Sequence, residues 1–307
     1  MAQYDLRSNE PLPPISCTGP RLQPFKDRNR KIEFLDILSH LEDETSTSPQ
    51  RHGAYVFKVI INRKIYALKI FKFFDLEFAQ QSIGVTWRKR VSGEKLTFHS
   101  DPFFAECRAY GRIKEAEEKH AKRSQSKGTG QTKRPTAKEL AVPCYGYMAV
   151  AADPYEEILA EKYGITFWNR SIENKKHPVK KRLPFRALVK RFENTEISIK
   201  EPKTMLEDLK KLRGSLVFQR DIIERNYKNG LLVDFDNAWT EPHWRVDLMG
   251  PRQSRITKNS DLYAFDEMIE SSGILTQVRA TPNDLYVRKL RSHRRDDSNQ
   301  SGSDSGS

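Results

Sequence analysis

Two β-rich runs separated by only two residues constrain the fold more than any other feature of this chain. Residues 54–61 read AYVFKVII, residues 64–73 read KIYALKIFKF, and Asn62 and Arg63 lie between them. Because β-branched and aromatic residues favour strands and two-residue links favour hairpins, these runs predict an antiparallel hairpin. Lys69 lies in the second run with apolar neighbours on both faces, which indicates a functional lysine; the alternative is a lysine on a solvated strand face.

The other periodic segments predict an α+β protein. Their expected bounds are strands over 142–150 and 185–192, helices over 103–115, 203–213 and 261–269, and a second hairpin over 226–235. Strands with a single helix thus precede a mostly helical half, which is the order of a two-lobed α+β fold.

Composition divides the chain into tails, lobes and insertions. The proline-containing N-terminus and the Ser/Gly/Asp-rich C-terminus predict disordered tails over 1–30 and 291–307. The folded domain is expected over 31–290, with an N-terminal lobe over about 31–192, a C-terminal lobe over about 193–290, and basic loop-like insertions at 116–138 and 169–184.

The formal net charge of +13 suggests an acidic partner, such as nucleic acid, nucleotide phosphate or an acidic protein surface. The basic residues form short clusters instead of one stripe: Arg88-Lys89-Arg90, Lys122-Arg123, Lys133-Arg134 and Lys180-Lys181-Arg182. Such clusters predict solvated loops outside the core, whose neutralisation should weaken nuclear import or an acidic contact more than folding.

Membrane and disulfide-stapled classes are not expected. No apolar run approaches the roughly 18 residues that a bilayer span needs. The N-terminus lacks the apolar stretch of a signal peptide, and the three cysteines show no paired spacing. The sequence therefore predicts a soluble intracellular protein with free thiols.

The segment FQRDIIERN carries residue types suited to chemistry. Arg220 and Asp221 precede Asn226 in the pattern R-D-x-x-x-x-N. This spacing lets a loop fold back so that both side chains face one small volume. A carboxylate there can orient a hydroxyl nucleophile, and an amide oxygen can hold a metal.

The residues that follow predict a tight hairpin with a second oxygen ligand. Asn229-Gly230 is the favoured type I′ turn, so Tyr227 should face Leu232 and Asp234 should emerge beside Asn226. Carboxylate and amide oxygens are hard ligands that suit Mg²⁺, which predicts a metal site at Asn226 and Asp234. The alternative is a polar hairpin end in a surface loop.

Over about Ile32 to Ile269, these segments resemble the protein-kinase superfamily. The matches are V-A-I-K at Tyr66-Ala67-Leu68-Lys69, the helix glutamate at Glu106, R-D-x-x-x-x-N at Arg220, Asp221 and Asn226, D-F at Asp234-Phe235, and D-x-W-S-F at Asp261-Leu262-Tyr263-Ala264-Phe265. The resemblance implies a two-lobed protein-kinase-like fold with ATP and Mg²⁺ as cofactors.

The resemblance also assigns roles to individual residues. It implies that Lys69 and Glu106 form an ion pair that binds ATP, and that Asp221 and Arg220 are catalytic. Asn226 and Asp234 would hold the metal. Asp221, Asn226 and Asp234 should then converge in one cleft that faces Lys69.

Several departures from the kinase pattern predict weak ATP binding and slow or absent phosphate transfer. No G-x-G-x-x-G precedes the Lys69 strand, where residues 43–53 offer one glycine. Gln219 replaces the motif histidine, and Asp236 replaces the D-F-G glycine. No Ala-Pro-Glu follows, and about 38 residues after Ile269 are too few for a full C-terminal lobe, which implies a compact, truncated one.

The chain is most similar to a fungal family of kinase-like proteins that includes a subunit of the Sim-four kinetochore complex. The distinctive segments are the short hairpin between Asn226 and Asp234 and the Ala238-Trp239-Thr240-Glu241-Pro242-His243 continuation. This resemblance implies a nuclear, centromere-associated assembly or scaffold role with protein partners.

Two other functions stay open. VDFDNA at 233–238 also resembles the metal-binding motif of aminoglycoside- and choline-kinase-like enzymes, so an active protein kinase or small-molecule phosphotransferase is the alternative; Arg220 counts against the small-molecule class, which usually has glycine there. A nucleic-acid binder using the basic loops is less favoured, because no aromatic platform is interleaved with them.

Overall fold

A five-stranded antiparallel sheet forms the upper lobe in the computed structural model, which describes residues 10–39, 53–126 and 139–281. Its strands are β1 (Ile32–Ile37), β2 (Ala54–Ile61), β3 (Lys64–Phe71), β4 (Cys144–Val150) and β5 (Phe185–Arg191). They pair in the order β1-β2-β3-β5-β4. Ile61 lies opposite Lys64, so the predicted hairpin at Asn62-Arg63 is confirmed.

Ten helices and four short strands complete the described part of the chain. The helices are α1 (Leu76–Ser82), α2 (Val85–Arg88), α3 (Gly93–Ser100), α4 (Pro102–Ser126), α5 (Tyr155–Tyr163), α6 (Ile172–Lys176), α7 (Pro202–Gly214), α8 (Trp244–Leu248), α9 (Pro251–Lys258) and α10 (Ser260–Ser271). The short strands are β6 (Val217–Phe218), β7 (Tyr227–Lys228), β8 (Leu231–Leu232) and β9 (Trp239–Thr240). None of these helices is both long enough and apolar enough to cross a membrane.

The sheet separates two apolar cores. The outer core gathers side chains of the sheet with Trp168 and Leu159, and the larger core joins α4 to the lower lobe. Strands β3 and β5 have buried residues on both faces, which explains their near-continuous apolar runs. Two charged residues on these strands, Lys69 and Lys190, are buried among the apolar ones.

The lower lobe is built on two helices whose apolar stripes meet. Met205, Leu206, Leu209 and Leu212 of α7 are all buried, as their helical spacing predicts. They join one core cluster with Phe265, Met268 and Ile269 of α10. The two-lobed α+β architecture predicted from the sequence is therefore confirmed.

Residues 10–30 are packed, contrary to the predicted flexible tail. Leu12 pairs with Leu22, and Pro24 pairs with Tyr147 of β4. Leu12, Leu22 and Phe25 are buried, because this segment passes over the helix α4 and the strand β4 where both carry glycine. The few apolar residues of the segment are thus placed where they fill core positions. Residues 1–9 and 291–307, the rest of the predicted tails, lie outside the described residues.

The two predicted insertions contain more regular structure than expected. Residues 116–126 continue α4, because neither glycine nor proline interrupts the sequence until Gly128. The 169–184 segment includes α6 and a 3₁₀ turn, and it is anchored by the buried Arg170, which donates to Asn174 Oδ1 at 2.7 Å.

Most described members of the basic clusters are exposed, as predicted, but several lie in helices and not in loops: Arg88 ends α2, Lys122 lies in α4, and Lys180 and Lys181 form the 3₁₀ turn. The exposed ones are Arg88, Lys89, Arg90, Lys122, Lys180 and Lys181. Arg182 is half-buried and pairs with Glu156 at 3.0 Å. Lys133-Arg134 and the side chain of Arg123 lie outside the described residues.

Candidate functional site

Lys69 on β3 is the centre of an ion cluster between the lobes, in which Lys69 and Glu106 are buried and Asp234 and Asp236 are half-buried. Its Nζ lies 2.9 Å from Glu106 Oε2, 2.7 Å from Asp234 Oδ1 and 3.2 Å from Asp236 Oδ2. Burial alone would lower the pKa of Lys69, but these carboxylates raise it well above its ordinary value. Lys69 is therefore a charged ammonium, and the predicted ion pair with Glu106 is confirmed.

Glu106 is held on both sides. It lies in the first half of α4, is fully buried, and pairs through Oε1 with Lys190 of β5. Lys190 Nζ also donates to the Val233 carbonyl at 2.6 Å. Sequence reasoning missed Lys190; the one available signal was a charge inside the apolar run FRALVKRF, two residues beyond the position that pairs with Lys69.

Asp234 and Asp236 face the same ammonium group but differ in acidity. Burial would raise the pKa of Asp234, but Lys69 and Lys190, with hydrogen bonds from Lys69 and the Asp236 N–H, lower it to about 2. Burial and the adjacent Asp234 carboxylate raise the pKa of Asp236 to about 7, against the opposing effect of Lys69. Asp234 is thus the permanent anion of the pair.

The second hairpin folds as the sequence predicts. Tyr227 pairs with Leu232 and Lys228 with Leu231, and the Val233 N–H donates to the Asn226 carbonyl at 2.9 Å. Asn229 and Gly230 have φ values of 51° and 79°, which a type I′ turn requires. The hairpin therefore brings the backbone of Asn226 next to the residue that precedes Asp234.

Asp221 and Asn226 are joined directly. Asn226 Nδ2 donates to the Asp221 carbonyl at 2.9 Å and to Asp221 Oδ2 at 3.1 Å. Gln219, which stands where the kinase motif has histidine, donates to the Asp234 carbonyl and accepts from the Arg220 N–H at 3.0 Å. This glutamine links the loop of Asp221 to the segment that carries Asp234.

Arg220 contacts the segment that leads into α10, and it lines one pocket together with Asp236. Its guanidinium donates to Ser260 Oγ and to the Thr257 carbonyl at 2.8 Å, and it lies 4.5 Å from the Trp239 ring centre. The structure thus places Arg220 between the loop and the start of α10, where it positions other groups. Asp261, the other motif residue there, is buried and accepts from Arg213.

The oxygen ligands fit a hard metal better than the lysine fits a phosphate. Asp234 Oδ1 already accepts from Lys69 and from the Asp236 N–H, but within the described residues Asp234 Oδ2 and Asn226 Oδ1 accept no hydrogen bond. These two oxygens suit Mg²⁺. Lys69 donates to Asp234 and Asp236 and lies 2.9 Å from Glu106 Oε2, so a phosphate would compete with three carboxylates for one ammonium group.

Buried Arg108 fastens two other segments of the chain to α4. Its guanidinium donates to the carbonyls of Thr18 at 2.7 Å, Thr240 at 3.1 Å and Pro242 at 2.6 Å. It therefore joins the N-terminal segment and the stretch that follows Asp236 to the helix that carries Glu106.

The sheet order, the lysine–glutamate pair and the hairpin that presents Asn226 and Asp234 define a two-lobed, kinase-like protein. The family model of the kinetochore Sim4 complex subunit FTA2 matches residues 9–125 and 129–239. The chain belongs to this family.

A solved structure of vaccinia related kinase 3 is similar, with a TM-score of 0.40 and 10% sequence identity over 96% of this chain and 79% of that chain. Comparison with curated protein sequences gives no match.

Proposed function

We propose that this chain acts mainly as an assembly or scaffold module of a kinetochore complex in the nucleus, and that its kinase-like cleft binds ATP and Mg²⁺ weakly. The observation that carries the proposal is the engagement of Lys69 by Glu106, Asp234 and Asp236. The kinase resemblance assigns Lys69 to phosphate binding, but here Lys69 forms ion pairs that join the sheet to α4 and to the segment that carries Asp234 and Asp236. The family membership supports protein partners in a larger complex.

The charges of the cleft argue against tight nucleotide binding. Two ammonium groups, Lys69 and Lys190, face three carboxylates, those of Glu106, Asp234 and Asp236. When Asp236 is ionised, the cluster carries a net negative charge, which repels a polyphosphate. Asn226 and Asp234 would hold Mg²⁺, which would supply the positive charge that phosphates need.

An assembly role is tested by separating complex formation from cleft chemistry. We expect the Asp221→Asn chain to co-elute with the other subunits of its complex and to localise to centromeres as the wild type does. The reason is that Asp221 contacts Asn226 and is not one of the carboxylates that pair with Lys69. Size-exclusion chromatography of co-expressed subunits and fluorescence imaging measure this. Loss of centromere localisation in a folded Asp221→Asn chain would contradict the scaffold role.

The second candidate function is phosphate transfer to a protein or small-molecule hydroxyl. It is favoured by the Asp221–Asn226 contact and by the pKa of Asp234, which stays low enough for metal binding despite burial. Asp221 would be the base for the hydroxyl. Robust phosphorylation of an added substrate by the wild type, lost in Asp221→Asn, would make this chain an enzyme.

A further inference from the structure

Helix α9 is exposed although the fold fastens it firmly. None of its residues is buried. A helix of eight residues is marginal on its own in water, so its contacts with the lobe must hold it. Arg220 donates to the Thr257 carbonyl at 2.8 Å and Arg213 donates to the Lys258 carbonyl, so two arginines cap its C-terminal end. Helix α9 is therefore held on the surface of the lower lobe and contributes no buried side chain to its core.

A groove of about 270 Å³ lies between α7, β6 and α9. Its apolar base is Phe218, which is buried. Lys258 Nζ lies 5.2 Å and Arg213 Cζ 5.5 Å from the ring centre of Phe218, and Arg255 lines the groove beside them. Among the described residues, no carboxylate lines this groove.

The outward face of α9 is basic and partly apolar. Residues 249–260 include three basic residues and no acidic one. Lys258 pairs with Glu241, whereas Arg252 and Arg255 form no ion pair within the described part of the chain. Arg252, Arg255 and Ile256 are three and four positions apart, so they share one face, and Ile256 is 51% exposed.

We infer that α9 and its groove form a docking site for an acidic, apolar-containing segment of a partner protein. Carboxylates of that segment would pair with Arg252 and Arg255, while one apolar side chain would enter the groove above Phe218 and another would contact the exposed Ile256. Nucleic acid fits less well, because Arg213 and Lys258 already pair with Asp261 and Glu241, and Arg252 and Arg255 alone do not follow a line of phosphates. The inference rests on the proposed assembly function and names the chemistry of its partner.

The test uses the full chain and a fluorescein-labelled peptide of alternating glutamate and leucine, followed by fluorescence anisotropy. The charge reversals Arg252→Glu and Arg255→Glu together should weaken peptide binding about tenfold or more. The matched control carries Lys180→Glu and Lys181→Glu, which change the net charge equally at exposed positions of the other lobe. It should bind the peptide almost as the wild type does.

Two further probes test whether the site requires acidic side chains and whether it binds nucleic acid. A peptide with glutamine in place of glutamate and a DNA duplex should bind weakly and without regard to the α9 substitutions. Equal losses in both double variants, no binding of the acidic peptide, or a loss confined to DNA would each overturn the inference. If the peptide fails while the chain still co-elutes with its complex, the docking site is wrong and the assembly function stands.

Discussion

At the scale of single residues, the affinity of the cleft for nucleotide depends on which groups contact the Lys69 ammonium. Glu106 cannot leave easily, because Lys190 holds its second oxygen in a fully buried site. Asp234 makes the shortest contact with Lys69, at 2.7 Å, and Asp236 the longest, at 3.2 Å. Asp236 is therefore the carboxylate that a phosphate would displace first.

Replacing Asp236 with asparagine should open the site to nucleotide. The substitution keeps the shape but removes one negative charge beside Lys69, so the affinity for ATP with Mg²⁺ should rise about tenfold. Calorimetric titration measures this, and Asp247→Asn, at an exposed carboxylate, is the control. Unchanged or weaker binding in Asp236→Asn would show that Asp236 does not limit access.

Two buried histidines should make stability fall in mild acid. Burial, then Arg108, lowers the pKa of His99 to about 2 and that of His243 to about 3. Both are neutral when folded, whereas the unfolded chain protonates them near their ordinary pKa of about 6.5. Their contribution is therefore complete above that pKa and is lost as pH falls, by about 1.4 kcal/mol per histidine at about pH 5.5.

The free energy of unfolding, measured with urea at neutral and mildly acidic pH, tests the histidine prediction. In His243→Asn, whose amide oxygen can replace the Nδ1 that accepts from the Arg245 N–H, the pH dependence should shrink by about half. If the free energy of unfolding of His243→Asn depended on pH as strongly as that of the wild type, other groups would be responsible for the pH dependence.

At the scale of elements, α4 connects the parts of the molecule. It carries Glu106 to the sheet, Arg108 to the lower lobe, and Gly111 beneath the N-terminal segment. A Cβ at Gly111 would lie 2.7 Å from the Arg21 carbonyl carbon, and one at Gly146 would lie 2.6 Å from the Gln23 carbonyl oxygen. The N-terminal segment can approach only because both positions lack a side chain.

Gly111→Ala should therefore destabilise the fold, although alanine favours helices. The clash is with backbone, which cannot move aside as a flexible side chain can, so a loss of about 1–3 kcal/mol is expected. Gly214→Ala is the matched control, because an added Cβ there meets no atom within 4 Å. Thermal unfolding of both variants measures the difference, and equal midpoints would contradict the close contact.

At the scale of the whole molecule, the sequence predicts what local pattern and motif order determine. The β2–β3 hairpin follows from its two-residue link, the Asn229-Gly230 turn from its dipeptide, and the Lys69–Glu106 pair from the kinase-like order of motifs. Lys190 could not be assigned, because a lysine in an apolar run does not reveal which carboxylate it will meet.

The packing of residues 10–30 escapes sequence analysis for a related reason. Proline-containing, apolar-poor segments usually lack enough apolar surface to order themselves. This one is held by surfaces supplied from α4 and β4, at Gly111 and Gly146, which are distant in sequence. Helices α1 and α2 also escape sequence analysis, since neither buries a residue fully.

Calorimetric titration of the wild-type chain with ATP and Mg²⁺ tests whether the kinase-like cleft serves the architecture more than nucleotide chemistry. We predict weak binding, with a dissociation constant of about 1 mM or above, because the carboxylates of Glu106, Asp234 and Asp236 already surround the Lys69 ammonium. Binding at about 1 μM or tighter that requires Mg²⁺ and is lost in Asp234→Asn would contradict the account.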